Sequence, residues 1–420
     1  MNDQLMPSDS VNNETTPGRS RIFWLFQLLL VPVAIALGGW TWTNVNSFPL
    51  VPQLMNEPRI IRPVHDYPLV VSDEQLQTVL YKLRPRFETQ PPKTNFVDHA
   101  LRMWGSSVVF GDDALDGQQM RDLLIDDQQF RKYWKAKTPS LLKSSPYGVA
   151  VRTQEGRATV SHVDHLIGTL AEIGTALDHP IRLANESASM HDLVNHTFRT
   201  FRLNQKEYEW TAVAWTLYAP SRSDWYTADR QQITLERLAE RMMRQQQPQG
   251  VCYGQHRLYS LTLMLRVDDQ VFEKQGNRLL TEEGRATILT YLHQMTGRLY
   301  RNQSQEGWWD GNWPDLKQAI PDPGTDALSR RILATGHTLE WWAMAPRELH
   351  PPRETVVRAG QWLTRTISEM DDRLIQKNYT FLTHAGRALA LWRAKFPGEV
   401  YQQVKVARIS NHQTLMFSQP

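Results

Sequence analysis

The chain reads as an all-α ring of six helical hairpins behind one apolar amino-terminal segment, with a small β-hairpin inserted. Three observations lead there. First, six short stretches share a pattern: Asp98-His99 to Trp104, Asp164-His165 to Leu170, Glu209-Trp210 to Trp215, Gln255-His256 to Leu261, Gly336-His337 to Trp342 and Thr383-His384 to Leu389. Five carry histidine at the same place, the third carries Trp210, and five residues further on each has Trp or Leu. Successive anchors lie 66, 45, 46, 81 and 47 residues apart. A recurring interval of that size is the mark of a repeated helix pair, and the two long intervals leave room for insertions. Second, amphipathic segments lie between the anchored ones, at about 117–135, 187–202, 231–247, 282–301 and 353–375. Third, the anchored stretches are apolar over more of their circumference, as inner helices of a ring would be.

From the amino terminus, residues 1–21 are polar and predict a disordered cytoplasmic tail. Residues 22–43 hold no charged side chain, and Trp24, Trp40 and Trp42 stand near the two ends. Twenty-two helical residues cover roughly 33 Å, enough to cross a bilayer core. The run is longer than the apolar part of a cleaved leader and no small-x-small site follows, so a signal anchor is predicted. Arg19 and Arg21 directly before it place the bulk of the chain outside the cytoplasm, at a cell surface or in a periplasm. Residues 44–72, with Pro49, Pro52, Pro58, Pro63 and Pro68, read as an extended stalk. Ser72-Asp73-Glu74-Gln75 is a cap-like helix start that opens the helical domain, 73–405, and 406–420 form a tail. Within 138–161, two alternating runs around Glu155-Gly156 predict the β-hairpin. Residues 302–330 make a long loop with Trp308, Trp309 and Trp313.

Composition excludes several classes. The 47 basic and 44 acidic side chains leave a net charge of +3, and no nucleic-acid module is recognisable, so no nucleic-acid partner is implied. Cys252 is the one cysteine, which rules out an internal disulfide framework and a Cys-based zinc cluster. No phosphate-cradling loop, dinucleotide fingerprint or Gly-x-Ser-x-Gly elbow occurs, and no cofactor is implied.

Six hairpins whose inner helices carry a common motif resemble the (α/α)6 toroid superfamily, over about residues 73–405. Within it, Gly336-His337-Thr338-Leu339-Glu340-Trp341 resembles the Gly-His-x-x-Glu-Trp segment of N-acylglucosamine 2-epimerase-like enzymes. That resemblance implies a place for His337 and Glu340 in a sugar pocket. Asp310-Gly311-Asn312-Trp313 and Cys252-Tyr253 are similar to short segments of terpenoid cyclases and protein prenyltransferases. There the chain departs from the pattern: Gly250 stands where an acidic residue belongs, and no Asp-x-Asp-Asp motif occurs.

Parallel inner helices would bring His99, His165, His256, His337 and His384 to one rim of a cavity, where imidazole can act as acid, base or ligand near pH 7. The alternative reading makes each a helix-start residue bonded to backbone or to a neighbouring carboxylate. No metal site is expected, because a five-fold histidine ring is not a usual coordination sphere and no His-Glu-x-x-His spacing exists. Asp98 and Asp164 are read first as helix caps. Glu340, three residues after His337 and flanked by Leu339, Trp341 and Trp342, needs a buried partner. His337, Glu340 and Asp310 are thus the candidate catalytic groups. Trp308, Trp309, Trp313 and the histidines His99, His165, His256 and His384 are the candidate ligand contacts. The functional expectation is a membrane-tethered, carbohydrate-active or carbohydrate-binding protein, partnered by a glycan. A non-catalytic envelope scaffold with a protein partner is the alternative, and terpenoid-type chemistry comes third.

Overall fold

The computed structural model describes residues 24, 26–37, 51–87, 91–111, 114–135 and 137–403. The chain divides into two compact units, Met1–Pro49 and Leu50–Pro420. In the first unit, helix α1 covers 26–37 with its apolar side chains exposed. Among the described residues no helix is long and apolar enough to cross a membrane. The expected span, 22–43, and the two terminal tails lie wholly or partly outside the described residues.

Among its described residues the second unit is mostly helical with three two-stranded antiparallel sheets. Its helices are α2 (Asp73–Lys82), α3 (Thr94–Trp104), α4 (Gly117–Ile125), α5 (Asp127–Tyr133), α6 (His165–Glu172), α7 (Met190–Thr200) and α8 (Glu209–Tyr218). Then follow α9 (Leu235–Arg244), α10 (Gln255–Gln275), α11 (Glu282–Arg301), α12 (Ala327–Met344), α13 (Arg353–Glu369), α14 (Asp372–Lys377) and α15 (Tyr379–Leu391). The start of α2 is the predicted capping box: Gln75 N–H donates to Ser72 Oγ at 3.1 Å and Ser72 N–H to Gln75 Oε1 at 2.9 Å. On α9, Leu235, Leu238 and Met242 are buried on one stripe while the charged face stays in water.

The six anchors fall on α3, α6, α8, α10, α12 and α15. Each of these helices packs on the next, and α15 packs back on α3, so their contacts close a cycle. α4, α7, α9, α11 and α13 each lie against the anchored helix that precedes or follows them, and α2 packs on α15 and α13. The first helix of the domain therefore completes the last pair. Trp215 Nε1 donates to Thr197 Oγ1 on α7 at 2.9 Å, and Trp342 Nε1 to Thr296 Oγ1 on α11 at 3.0 Å. Trp215 and Trp342 thus tie an anchored helix to the amphipathic helix packed beside it. Close approach of the anchored helices needs small residues. A Cβ on Gly168 would meet Trp210 Cε3 at 2.9 Å, and one on Gly336 would meet the Ala385 backbone nitrogen at 3.1 Å.

Two expectations need correction. The hairpin pairs β1 (Leu142–Ser145) with β2 (Gly148–Val151), so its turn is at Pro146-Tyr147 and not at Glu155-Gly156. Gly148, at φ 122°, sits so close to the Asp192 backbone that a side chain has no room, which fixes the turn there. Two further short hairpins occur, β3 (Pro180–Arg182) with β4 (Ser187–Ser189) and β5 (Trp225–Tyr226) with β6 (Gln232–Ile233). Residues 51–72 do not stand off as a stalk. Met55 N–H donates to Tyr218 O at 2.9 Å, Tyr67 N–H to Trp392 O at 2.8 Å, and the His65 imidazole bonds Ala345 O at 2.8 Å. The segment is a strap across the carboxyl-terminal ends of α8, α12 and α15. Its backbone bonds and the buried Ile61, Val70 and Val71 hold it there.

Gly336→Val should force α12 from α15 and cost about 1–3 kcal/mol by overpacking. The cost is read as a lower denaturant midpoint at unchanged slope.

Candidate functional site

The anchor side chains meet on the axis of the helix cycle. His165 and Trp210 rings are 4.4 Å apart between centroids, Trp210 and His256 5.0 Å, and His256 and His337 5.1 Å. His337 and His384 are 3.8 Å apart, His384 and His99 5.6 Å, and His99 and His165 4.2 Å. All six are buried, and together they form a closed layer of rings rather than an open rim.

Three residues on, Arg102, Tyr259, Glu340 and Arg387 form a second layer that Glu172, from the end of α6, completes. Arg102 Nε pairs with Glu172 Oε2 at 2.6 Å and its Nη1 with Glu340 Oε1 at 2.7 Å. Arg387 Nη1 pairs with Glu340 Oε1 at 2.6 Å and its Nη2 with Glu172 Oε1 at 3.0 Å. Two guanidiniums and two carboxylates thus alternate around a closed square. Tyr259 donates its hydroxyl to Glu172, and the Arg102 guanidinium lies over the Trp210 ring at 4.6 Å. Burial works to raise the Glu340 and Glu172 carboxyls, but Arg102 and Arg387 outweigh it and hold both below the ordinary carboxylate range. Glu340 is therefore an ionised structural group with its oxygens occupied, not a proton donor open to a ligand.

The residues just before the anchors tie neighbouring helices together. Thr211 donates to Asp164 Oδ2 at 2.5 Å, Arg257 Nε lies 3.7 Å from Glu209 Oε1, and Gln255 Nε2 donates to Thr338 Oγ1 at 3.0 Å. Asp98 accepts from His165 Nδ1 at 2.6 Å and from Thr169 Oγ1 at 2.8 Å. Neither Asp98 nor Asp164 caps a helix by its side chain: Asp98 lies inside α3, and Asp164, at the N-cap position, reaches across to α8 instead. Burial pushes both carboxyls up to about 6.

These partners also fix the histidine tautomers. A carbonyl or carboxylate oxygen can only accept, so the nitrogen facing it carries the proton. His99 Nδ1 bonds Asn95 O at 2.9 Å, His337 Nδ1 bonds Leu333 O at 2.8 Å, and His384 Nδ1 bonds Glu340 Oε2 at 2.6 Å. Burial lowers every anchor imidazole, that of His337 to about 4, so the rings are neutral near pH 7. His99, His165 and His384 therefore keep Nε2 as an acceptor, whereas His337 Nε2 accepts from His256 Nε2–H at 3.1 Å, so His256 alone of the five donates there.

Above the ring layer, at the amino-terminal side of the anchored helices, a pocket of about 560 Å³ opens. Its floor is His99, His337 and His384. Its walls include Asn95, Ser161, His162, Cys252, Tyr253, Asp322 and Phe381. His165 and His256 complete the layer without lining the pocket. The tryptophan loop contributes Pro321 and Asp322, but not its aromatic residues. Trp309 Nε1 donates to Leu299 O at 2.8 Å and Trp313 Nε1 to Tyr253 O at 2.9 Å, both rings buried as core. Trp308 lies under the Arg331 guanidinium at 3.8 Å and donates to Glu306 at 2.5 Å. Asp310 is held by Arg330 at 2.8 Å and by the Gly311 N–H at 2.7 Å. Its oxygens anchor the loop. His162, Arg102, Glu172, Tyr259 and Arg387 belong to the site without having been singled out in sequence. For Arg102, Tyr259 and Arg387 the signal was available, since each stands three residues after a histidine anchor.

No family model, no curated protein and no solved structure matches this chain.

Glu340→Gln should leave two buried guanidiniums short of one charge. Removing one partner of a buried pair costs about 3–5 kcal/mol. The loss should appear in chemical denaturation of the variant, while Glu306→Gln, whose partner is the half-exposed Trp308, should be near neutral.

Proposed function

We propose that the chain is an (α/α)6 toroid, anchored by its amino-terminal segment and displayed outside the cytoplasm, that binds a small polyhydroxylated ligand of the carbohydrate class. The observation that carries this reading is the polarity of the pocket floor. His99 and His384 offer acceptor nitrogens, fixed by the oxygens behind them, while His337 Nε2 is taken by His256 at 3.1 Å. A pair of neutral acceptors suits a ligand rich in O–H donors. Asn95, Ser161 and Gln249 add polar contacts, and Phe381 and Tyr253 supply aromatic faces of the kind that sugar rings use. The cycle of six helix contacts supports the toroid, and the short likeness around His337 supports the sugar.

Binding is favoured over hydrolysis. Glycoside cleavage needs two carboxyls flanking the bond, whereas Asp322 is the one carboxylate among the described residues of the lining. Glu340 and Asp310 are engaged elsewhere.

Titrating the full-length chain against panels of mono- and oligosaccharides, with isoprenoid diphosphates as controls, tests the reading. A saccharide should bind, and Phe381→Ala should weaken it by about 1 kcal/mol, near fivefold, through loss of a stacking face. Binding of isoprenoids alone would replace the ligand class. Binding of neither would leave the non-catalytic scaffold as the better account.

The uncharged run Ile22–Thr43 and the upstream Arg19 and Arg21 support the anchor and its orientation. Protease added to intact cells or spheroplasts should digest the helical domain. Protection until lysis would reverse the orientation.

A further inference from the structure

We infer that Cys252, His256 and His337 hold one transition-metal ion of the kind that prefers imidazole and thiolate, with a fourth coordination position open to the pocket. The inference stands on ligand geometry and does not depend on what else the pocket binds.

Cys252 Sγ and one nitrogen from each histidine lie within 4.8 Å of one another. His256 Nε2 and His337 Nε2 are 3.1 Å apart. Two imidazole nitrogens at about 2.0–2.1 Å from one tetrahedral ion stand roughly 3.3 Å apart, so this pair already has the required bite. The two rings are tilted by 43°, which lets both in-plane lone pairs point at one centre. His337 donates Nδ1–H to the Leu333 carbonyl at 2.8 Å, the outer bond that commonly fixes a metal-bound imidazole. Cys252 and His337 both line the pocket, so an ion can enter there and keep a face toward it. Three protein ligands with one open position is the arrangement of a reactive zinc site rather than a closed structural one.

A second triad, His99, His165 and His384, also gathers three nitrogens within 4.8 Å. Its geometry is wrong for one ion. The His99 and His165 rings are stacked at 4.2 Å with planes only 13° apart, so their planes meet only far from the rings and the two in-plane lone pairs do not converge within bonding reach of one ion. The distinction between the triads is therefore one of lone-pair direction, not of proximity.

On binding, the thiol S–H bond is replaced by a sulfur–metal bond and the proton leaves to solvent. The proton between the two Nε2 atoms leaves His256 Nε2 as that imidazole takes the Nδ1–H tautomer, and both freed Nε2 lone pairs bind the metal. No oxidation state changes.

The test is a cobalt(II) titration of the full-length chain after chelator treatment, followed by absorption. One cobalt per chain is expected, with visible bands of a tetrahedral ion and a near-ultraviolet thiolate-to-cobalt band. Loss of an outer partner of a ligand commonly costs 10–100-fold in affinity, so Cys252→Ser, which removes a ligand itself, should cost at least about 100-fold and abolish the thiolate band. His337→Gln should weaken binding similarly. Near-ultraviolet circular dichroism of the metal-free Cys252→Ser chain, matching the parent, separates ligand loss from unfolding. The proposal is overturned by absence of stoichiometric binding to the parent chain. It is equally overturned by cobalt bands that Cys252→Ser leaves unchanged, or that depend on His165 instead.

Discussion

The square of Arg102, Glu172, Arg387 and Glu340 is the interaction on which the rest depends. A cycle of six helices leaves an axial space that must be filled, and here it is filled by charge. Isolated, any one of these ions would be prohibitive to bury. Together they are neutral, because each carboxylate touches both guanidiniums and each guanidinium both carboxylates. The four come from α3, α6, α12 and α15; Tyr259 adds α10, and Trp210 adds α8 by lying under Arg102. Every anchored helix is thus tied to one network. Such a core adds little stability over an apolar one, but it penalises any register in which a partner is missing. That penalty falls on sliding one helix by a turn, a slip that apolar packing alone would tolerate better.

The same network sets the chemistry of the layer above. Glu340 uses its remaining oxygen on His384 Nδ1, and Asp98 does the same for His165. Orientation of the imidazoles is thereby inherited from buried carboxylates, with backbone oxygens doing the same for His99 and His337. A pocket floor of neutral imidazoles thus rests on an ionic layer that does not line the pocket. This is why a carboxylate beside a pocket histidine in sequence need not face the pocket: one helical turn along the axis is the difference between wall and foundation.

Periodicity carried most of the fold. The positions of α2, α7, α9, α11 and α13 follow from amphipathic stripes, and the convergence of His99, His165, Trp210, His256, His337 and His384 follows from their shared repeat position. The site was legible only in part. His337, His384 and His99 are on the pocket floor, but the loop tryptophans are core, because a cluster of aromatic residues looks alike in sequence whether it covers a ligand or fills a void. Partnership was illegible too: Arg102 and Glu340 are 238 residues apart, and only the closed cycle makes them neighbours. Glu172 lies outside the repeat register altogether, seven residues past His165.

The departures from the period explain where the pocket opens. The strap of residues 51–72 covers the carboxyl-terminal ends of α8, α12 and α15, so that end of the axis is closed by backbone bonds to Tyr218 and Trp392. At the other end the loops that lead into anchored helices converge. Ser161 and His162 precede α6, Gln249 to Tyr253 precede α10, and Pro321 and Asp322 precede α12. The two long intervals of the repeat, 66 and 81 residues, contain the first and last of these loops. Insertions that would disturb packing inside a helix pair are tolerated in connections, and here they build the walls. Cys252 reaches the axis by the same route, from the loop before α10, which sets a thiol against imidazoles that the repeat had already gathered.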